Sequence, residues 1–321
     1  MEFNNQNVLL WSRMNSRKTF GSVLTKIAPE YPNMMVLVSD VASSAGLSEF
    51  AERYPAQFLN VGIAEQNMIG VAAGLAKEKH CVFAVSFAPF ASMRCYEMIR
   101  SYLGYMKLNV KVVGLASGLS MGVGGNTHYG LEDIAIMREI PNLAVLSPAD
   151  CTETVKSILA LINYQGPAYL RLTGIAGNPI VYKEDYSFEI GKGIVLKEGK
   201  DIAIIATGTA VYESQRAARL LQKAGISSTV VDMHTIKPLD TKLLDQLFTN
   251  HKLIVTVEEH SIIGGLGSAV AEYKTSIAHA PKQIMIGLPD TFVKAGEYAY
   301  LLKSYGLSAP DIAEKIKESM A

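Results

Sequence analysis

The chain has 321 residues, 49% hydrophobic and 19% charged, enough apolar material for two domain cores and unlike a disordered protein. Thirty basic residues balance thirty acidic ones, which leaves no electrostatic footprint for nucleic acid or an anionic membrane surface. Cys81, Cys95 and Cys151 form neither a CxxC pair nor an even framework, so a reducing, cytoplasmic setting is the simplest expectation.

In chain order, the opening MEFNNQNVLLWSR is polar and lacks the apolar core of a signal peptide. No later apolar run approaches the length of a membrane span. Phe20, Val23, Leu24 and Ile27 recur at helical spacing. MMVLVS (34–39), CVFAVSF (81–87), NVKVVGLAS (109–117) and LAVLS (143–147) are short continuous apolar runs, the pattern of strands buried on both faces of a parallel sheet. Helix-sized segments at 63–79 and 89–103 lie between them. PAYLRLTG (167–174) reads as the last strand of this first unit.

Glycines, a proline and mixed charge then break the pattern, and 179–193 reads as a linker. Strands are expected at 201–208, 228–233, 252–260 and 282–288, with a helix after the first and another after GGLG (264–267). The fold class is therefore α/β, with two doubly wound domains at 1–178 and 194–321. Ligands of such sheets sit beyond the carboxyl ends of the strands. The informative loops are DVASSAG, SFAPF and ASGLSMGVGGNTHYG.

One carboxylate, Glu65, stands in the run NVGIAEQNMIGVAAGLA (60–76), whose small residues point to close packing on both sides. It is either a first-turn carboxylate favoured by the helix dipole or a buried group that shares a proton with a ligand. Phe87 and Phe90 fit core packing as well as a ligand pocket. Asp40 fits a turn or cap. His128 fits a satisfied structural histidine. GGLG before a helix is a weak phosphate signal.

Taken together, NVGIAEQNMIGVAAGLA, SRKTFG (16–21), SDVASS (39–44), FAPFASMR (87–94), GGNTH (124–128), LEDIAIMREIPNLAVLSPAD (131–150) and EEHSIIGGLGSAVAE (258–272) resemble, in order and spacing, the C-terminal half of the transketolase family. The resemblance covers nearly the whole chain. It implies a thiamine-diphosphate pyrimidine-binding domain followed by a transketolase C-terminal domain. It also implies a transferase that moves a two-carbon ketol unit from a ketose to an aldose. The family's diphosphate domain, with a GDG motif and an Asn that ligate Mg²⁺, has no counterpart here, and a cation bridging phosphates needs such oxygen ligands. The resemblance thus implies a split enzyme. A separate N-terminal chain would supply the metal ligands, none would lie on this chain, and the assembly would be two-plus-two.

By the same resemblance, Glu65 hydrogen-bonds a ring nitrogen of the aminopyrimidine and Phe90 stacks on that ring, with Phe87 lining the pocket. Asp40 lies toward the thiazolium side. His128 contacts cofactor or the reacting carbonyl, a catalytic and substrate-binding role. Arg17 and Ser44 match substrate-binding positions, while His260 and Arg171 read as structural. The chain departs from the family at Gly124, Ala116 and Gly174, where an acid, a histidine and a second phosphate-binding arginine are usual. Losing charged contacts worth about 1.5–3 kcal/mol each implies a non-standard substrate. Two alternatives remain at this level. One is acyl transfer from pyruvate, as in deoxyxylulose-phosphate synthase. The other is a regulatory or scaffolding chain without chemistry.

Overall fold

The computed structural model describes residues 1–174 and 177–320. Twelve strands form two sheets among these residues. They are β1 (Met34–Val38), β2 (Phe58–Asn60), β3 (Cys81–Phe87), β4 (Val110–Leu115), β5 (Ala144–Leu146) and β6 (Ala168–Arg171), then β7 (Ile194–Lys197), β8 (Ile202–Ala206), β9 (Ser228–Asp232), β10 (Thr235–Lys237), β11 (Leu253–Ser261) and β12 (Lys282–Leu288). The first sheet runs β10-β5-β6-β4-β3-β1-β2 and the second β12-β11-β8-β9-β7. Parallel pairing dominates both. The exceptions are β10 against β5 and β7 against β9.

Every continuous apolar run read as a strand is one, with the central strands buried on both faces. The short strands β2, β7 and β10 were not legible. Two are three residues long and β7 has four, and none stands in an apolar run as long as the one that marks β5. β10 comes from the second half of the chain but completes the first sheet, a pairing that no local pattern encodes.

One face of the first sheet packs on helices Asn5–Met14, Ser16–Ile27 and Cys151–Asn163. The other packs on Glu65–Lys77, Asp133–Glu139 and the helical stretch after β3. The turn at 41–46 lies so close to helix Ser16–Ile27 that a Cβ on Gly21 would sit 2.0 Å from the Gly46 carbonyl oxygen. This contact is the reason for the glycine closing SRKTFG. The first unit contributes to the core of the second, since Leu119, Tyr129 and Leu131 after β4 belong to the hydrophobic cluster around the second sheet.

Residues 177–193 carry neither helix nor strand but are clasped by buried acids. Asp150 accepts hydrogen bonds from the amides of Val181 and Tyr182 at 2.8 and 2.9 Å. Tyr182 donates to Asp232 at 2.7 Å and Tyr186 to Glu153 at 3.1 Å, with the two rings stacked 3.9 Å apart. Burial pushes Asp150 up to about 6 and Asp232 up to about 7, and lifts Glu153 well above the usual range. Carboxyls raised in the folded state contribute stability that is complete below the unfolded value of about 4 and is lost as pH rises through the folded value. Asp232→Asn, which keeps an acceptor for Tyr182 and removes the charge, should therefore flatten this pH dependence. Thermal midpoints from pH 5 to 8 test it: the variant should gain on wild type as pH rises, and a constant offset would count against this account.

Candidate active site

Helix Glu65–Lys77 forms because Met68, Ile69, Ala72, Ala73 and Ala76 make one apolar stripe, all buried. Its other face is open within this chain. A Cβ on Gly70 or Gly74 would meet nothing within 4 Å, so the expected packing on both sides is realised here on one. Glu65 opens the helix but does not cap it. The N-cap is Ala64, which makes no side-chain bond. The Glu65 side chain is 3% exposed, and its carboxylate turns inward instead. Oε2 accepts from Arg94 Nη1 at 2.7 Å, and Oε1 accepts from the Ser86 hydroxyl at 3.3 Å. Ser86 in turn accepts from Ser39 at 2.7 Å.

β3 delivers Phe87 at its end, and Phe90 follows on the first turn of the next helical stretch, which is a π-helix over Phe90–Arg94. Such widened turns are frequent at functional sites. The Arg94 guanidinium stands 4.4 Å above the Phe90 ring. Phe90 and His128 lie 5.6 Å apart between ring centroids, and Phe87 is 6.3 Å from each. Thus Glu65, Phe87, Phe90 and His128 converge, through Arg94, at the carboxyl ends of the strands.

His128 is aimed by the second domain. Glu259, on β11, accepts from the Leu119 amide at 2.6 Å and from the hydroxyls of Thr209 and Tyr298. Asn126 exchanges two hydrogen bonds with the backbone of Val293, at 2.7 and 3.1 Å. The loop 116–130 is therefore held at both ends by residues distant in sequence. Nδ1 of His128 is engaged by the Thr127 hydroxyl at 2.9 Å. Nε2 has no partner among the described residues, so it is the nitrogen free to meet a ligand.

Asp40 follows β1 with φ +58°, and Ala116 follows β4 with φ +53°. Left-handed backbone at two non-glycine residues is strain of the kind that gathers at functional edges. Asp40 and Asn60 are reciprocally hydrogen-bonded at 3.0 and 3.1 Å, which ties the first loop to the start of the Glu65 segment. Arg17 and Ser44 form a separate group, on the helix and turn joined by the Gly21–Gly46 approach. The structure does not bring them into contact with the Phe90 cluster. Arg17 lies over Gly174, whose carbonyl it reaches at 3.4 Å. A Cβ on Gly174 would be 2.5 Å from Arg17 Nε.

His260 is fully buried, with Nδ1 bonded to the Ser261 carbonyl at 2.7 Å. Arg171 is buried against Asp133 at 2.9 Å. GGLG holds no place for a phosphate, because the amides of Leu266 and Gly267 already bind Glu258 at 2.7 and 2.8 Å. Arg94 and Ser86 escape a reading of the sequence alone. Their signals are present: Arg94 is four residues after Phe90, a spacing that shares a helix face, and Ser86 is a polar residue in an otherwise apolar strand.

The residues fit the pyrimidine half of thiamine diphosphate. Glu65 Oε1 has a single long hydrogen bond and spare acceptor capacity, beside an aromatic face and a free imidazole nitrogen. Among the described residues no three His, Cys, Asp or Glu side chains are grouped to hold an ion. A cavity of about 550 Å³ lined by Asn109, Asn142, Tyr164 and Lys237 opens at the opposite, N-terminal ends of the strands and includes none of these groups. No helix among the described residues is long and apolar enough to cross a membrane.

Comparison with known proteins identifies the family. The family described as transketolase, pyrimidine binding domain, matches residues 12–177, and the transketolase C-terminal domain matches 191–312. A protein of Methanocaldococcus jannaschii assigned as a transketolase C-terminal section is 45% identical, over 95% of this chain and 96% of its own. One of the subunits of the apulose-4-phosphate transketolase of Phocaeicola vulgatus is 36% identical, over 94% of this chain and 96% of its own. The solved structure of a split-gene transketolase, an inactive β4 tetramer, superposes with a TM-score of 0.87 at 40% identity, covering 95% of this chain and 97% of that one. The chain belongs to the transketolase family, whose members depend on thiamine diphosphate, and it corresponds to the pyrimidine-binding and C-terminal domains that its split relatives carry as a separate chain.

Proposed function

We propose that this chain is the C-terminal subunit of a thiamine-diphosphate-dependent enzyme that transfers a two-carbon ketol unit from a ketose to an aldose. The convergence of Glu65, Phe90 and His128 carries this reading, because cofactor chemistry is what needs that set in one place. Thiamine diphosphate would supply a nucleophilic carbon able to carry the two-carbon fragment. The chain's residues bind and orient it. Glu65 offers Oε1 to a ring nitrogen of the aminopyrimidine, within the hydrogen-bond reach that a general acid or base requires. Phe90 presents its ring for offset stacking, and Phe87 closes the pocket beside it. Asp40 lies toward the thiazolium. His128, with Nε2 free, meets the reacting carbonyl. Arg17 and Ser44 bind the substrate further out. We assign 1–178 to the pyrimidine-binding domain, 179–193 to the linker and 194–321 to the C-terminal domain.

A second chain would complete the site, bringing the diphosphate domain and its Mg²⁺ ligands in a two-plus-two cytoplasmic assembly. The open Gly70–Gly74 face of the Glu65 helix supports a packed partner there, since small residues allow close helix approach. The substrate is non-standard on this reading. Gly174 supplies no second arginine beside Arg17, and Gly124 and Ala116 offer no charge. The Phocaeicola relative, part of an apulose-4-phosphate transketolase, supports a sugar outside the ordinary pentose phosphates.

Calorimetric titration of thiamine diphosphate with Mg²⁺ tests the proposal, first into this chain alone and then into its mixture with a candidate N-terminal chain. Binding is expected in the mixture only. Tight binding by the isolated chain would defeat the split site.

A further inference from the structure

Arg94 touches both features that the proposed cofactor would use. Its Nη1 holds Glu65 Oε2 at 2.7 Å, and its guanidinium covers one face of Phe90 at 4.4 Å. The main chain of Arg94 is anchored as well, its carbonyl accepting from the Gln66 side-chain amide at 3.2 Å. This links the π-helical turn to the helix that begins with Glu65. The pair is unequal in exposure: the arginine side chain is 46% exposed and the glutamate 3%. An exposed ion pair contributes little to stability. A buried carboxylate with one long hydrogen bond besides is a different case, because the arginine decides where that carboxylate points.

We propose that Arg94 is a positioning residue for the aminopyrimidine. It takes Glu65 Oε2 and so leaves Oε1 as the oxygen presented to the ring nitrogen, while it fixes the tilt of the Phe90 ring from the opposite face. A planar guanidinium can bridge an aromatic face and a carboxylate together, whereas a lysine ammonium acts as a point charge and cannot reproduce the bridge. Ser86, itself held by Ser39, steadies Oε1 from the strand side. Nothing in Arg94 reaches a reacting atom on this account. It acts through Glu65 and Phe90.

This inference rests on the proposed cofactor, and its test separates the two by binding alone. The assembled enzyme is titrated with thiamine diphosphate and with an analogue that has carbon in place of the pyrimidine nitrogen facing Glu65, for wild type, Glu65→Ala, Arg94→Gln and Arg94→Lys. Wild type should prefer the natural cofactor by at least about tenfold, the value of one hydrogen bond to a charged group. Glu65→Ala should abolish that preference. Arg94→Gln should cut it to less than about threefold with an unchanged thermal midpoint, and Arg94→Lys should recover part of it, since charge returns without the planar fork. Full preference retained in Arg94→Gln, or tighter cofactor binding by that variant, would overturn the role of Arg94 and leave the cofactor reading intact. No preference in wild type would overturn both.

Discussion

Glu65→Gln in the assembled enzyme is expected to lose about two to four orders of magnitude in turnover, the usual worth of a positioned acid–base group. The fold should be untouched. Glutamine is isosteric, it can still accept from Arg94 through its amide oxygen, and Arg94 is half-exposed and able to turn to water. The measurement is steady-state turnover with a ketose donor beside a thermal melt. A large loss of turnover at an unchanged melting point is the expected result. A regulatory or scaffolding chain would show no change in turnover, and that outcome would sink the catalytic reading.

Asp133→Ala should be the most damaging single change to stability. Asp133 opens helix Asp133–Glu139 and binds Arg171 on β6, with both side chains at 1% exposure or less. Tyr169 donates to the same carboxylate at 2.7 Å. Arg171 also reaches the carbonyls of Gly130 and Glu259 at 3.0 and 2.9 Å, so one guanidinium joins the loop that carries His128 to β11 of the second domain. Removing the acid leaves a buried charge unpaired, at a cost of about 3–5 kcal/mol. The urea midpoint should fall accordingly. Glu49→Ala, which breaks an exposed pair with Arg53, should leave the urea midpoint nearly unchanged, because solvent screens such a pair. Equal effects from the two would show that the buried network is not what joins the domains.

The sheet was legible because burial on both faces leaves a continuous apolar signature in β3, β4, β8 and β11. Glu65 was legible for the opposite reason, as a charge where composition favours none. Phe90 and His128 stood out through their places in the segments that follow β3 and β4. Arg94 was harder, because an arginine on a helix ordinarily reads as a solvated face. Its role appears only once a carboxylate from another helix is placed 2.7 Å away. The EEH segment misled in part: His260 is structural in character, yet Glu259 beside it secures the loop that aims His128. No spacing rule connects residues 119 and 259.

Local pattern, by itself, determined where strands and helices lie, which residues are chemically out of place, and which family the chain resembles. It did so because burial and periodicity are properties of neighbours in sequence. Only the tertiary structure decided that β10 closes the first sheet, that the second domain fixes the His128 loop, and that Glu65 faces Arg94 and Ser86 instead of capping its helix. These are contacts between segments far apart in the chain, formed where buried polar groups must find partners, and their geometry exists only after the chain has folded.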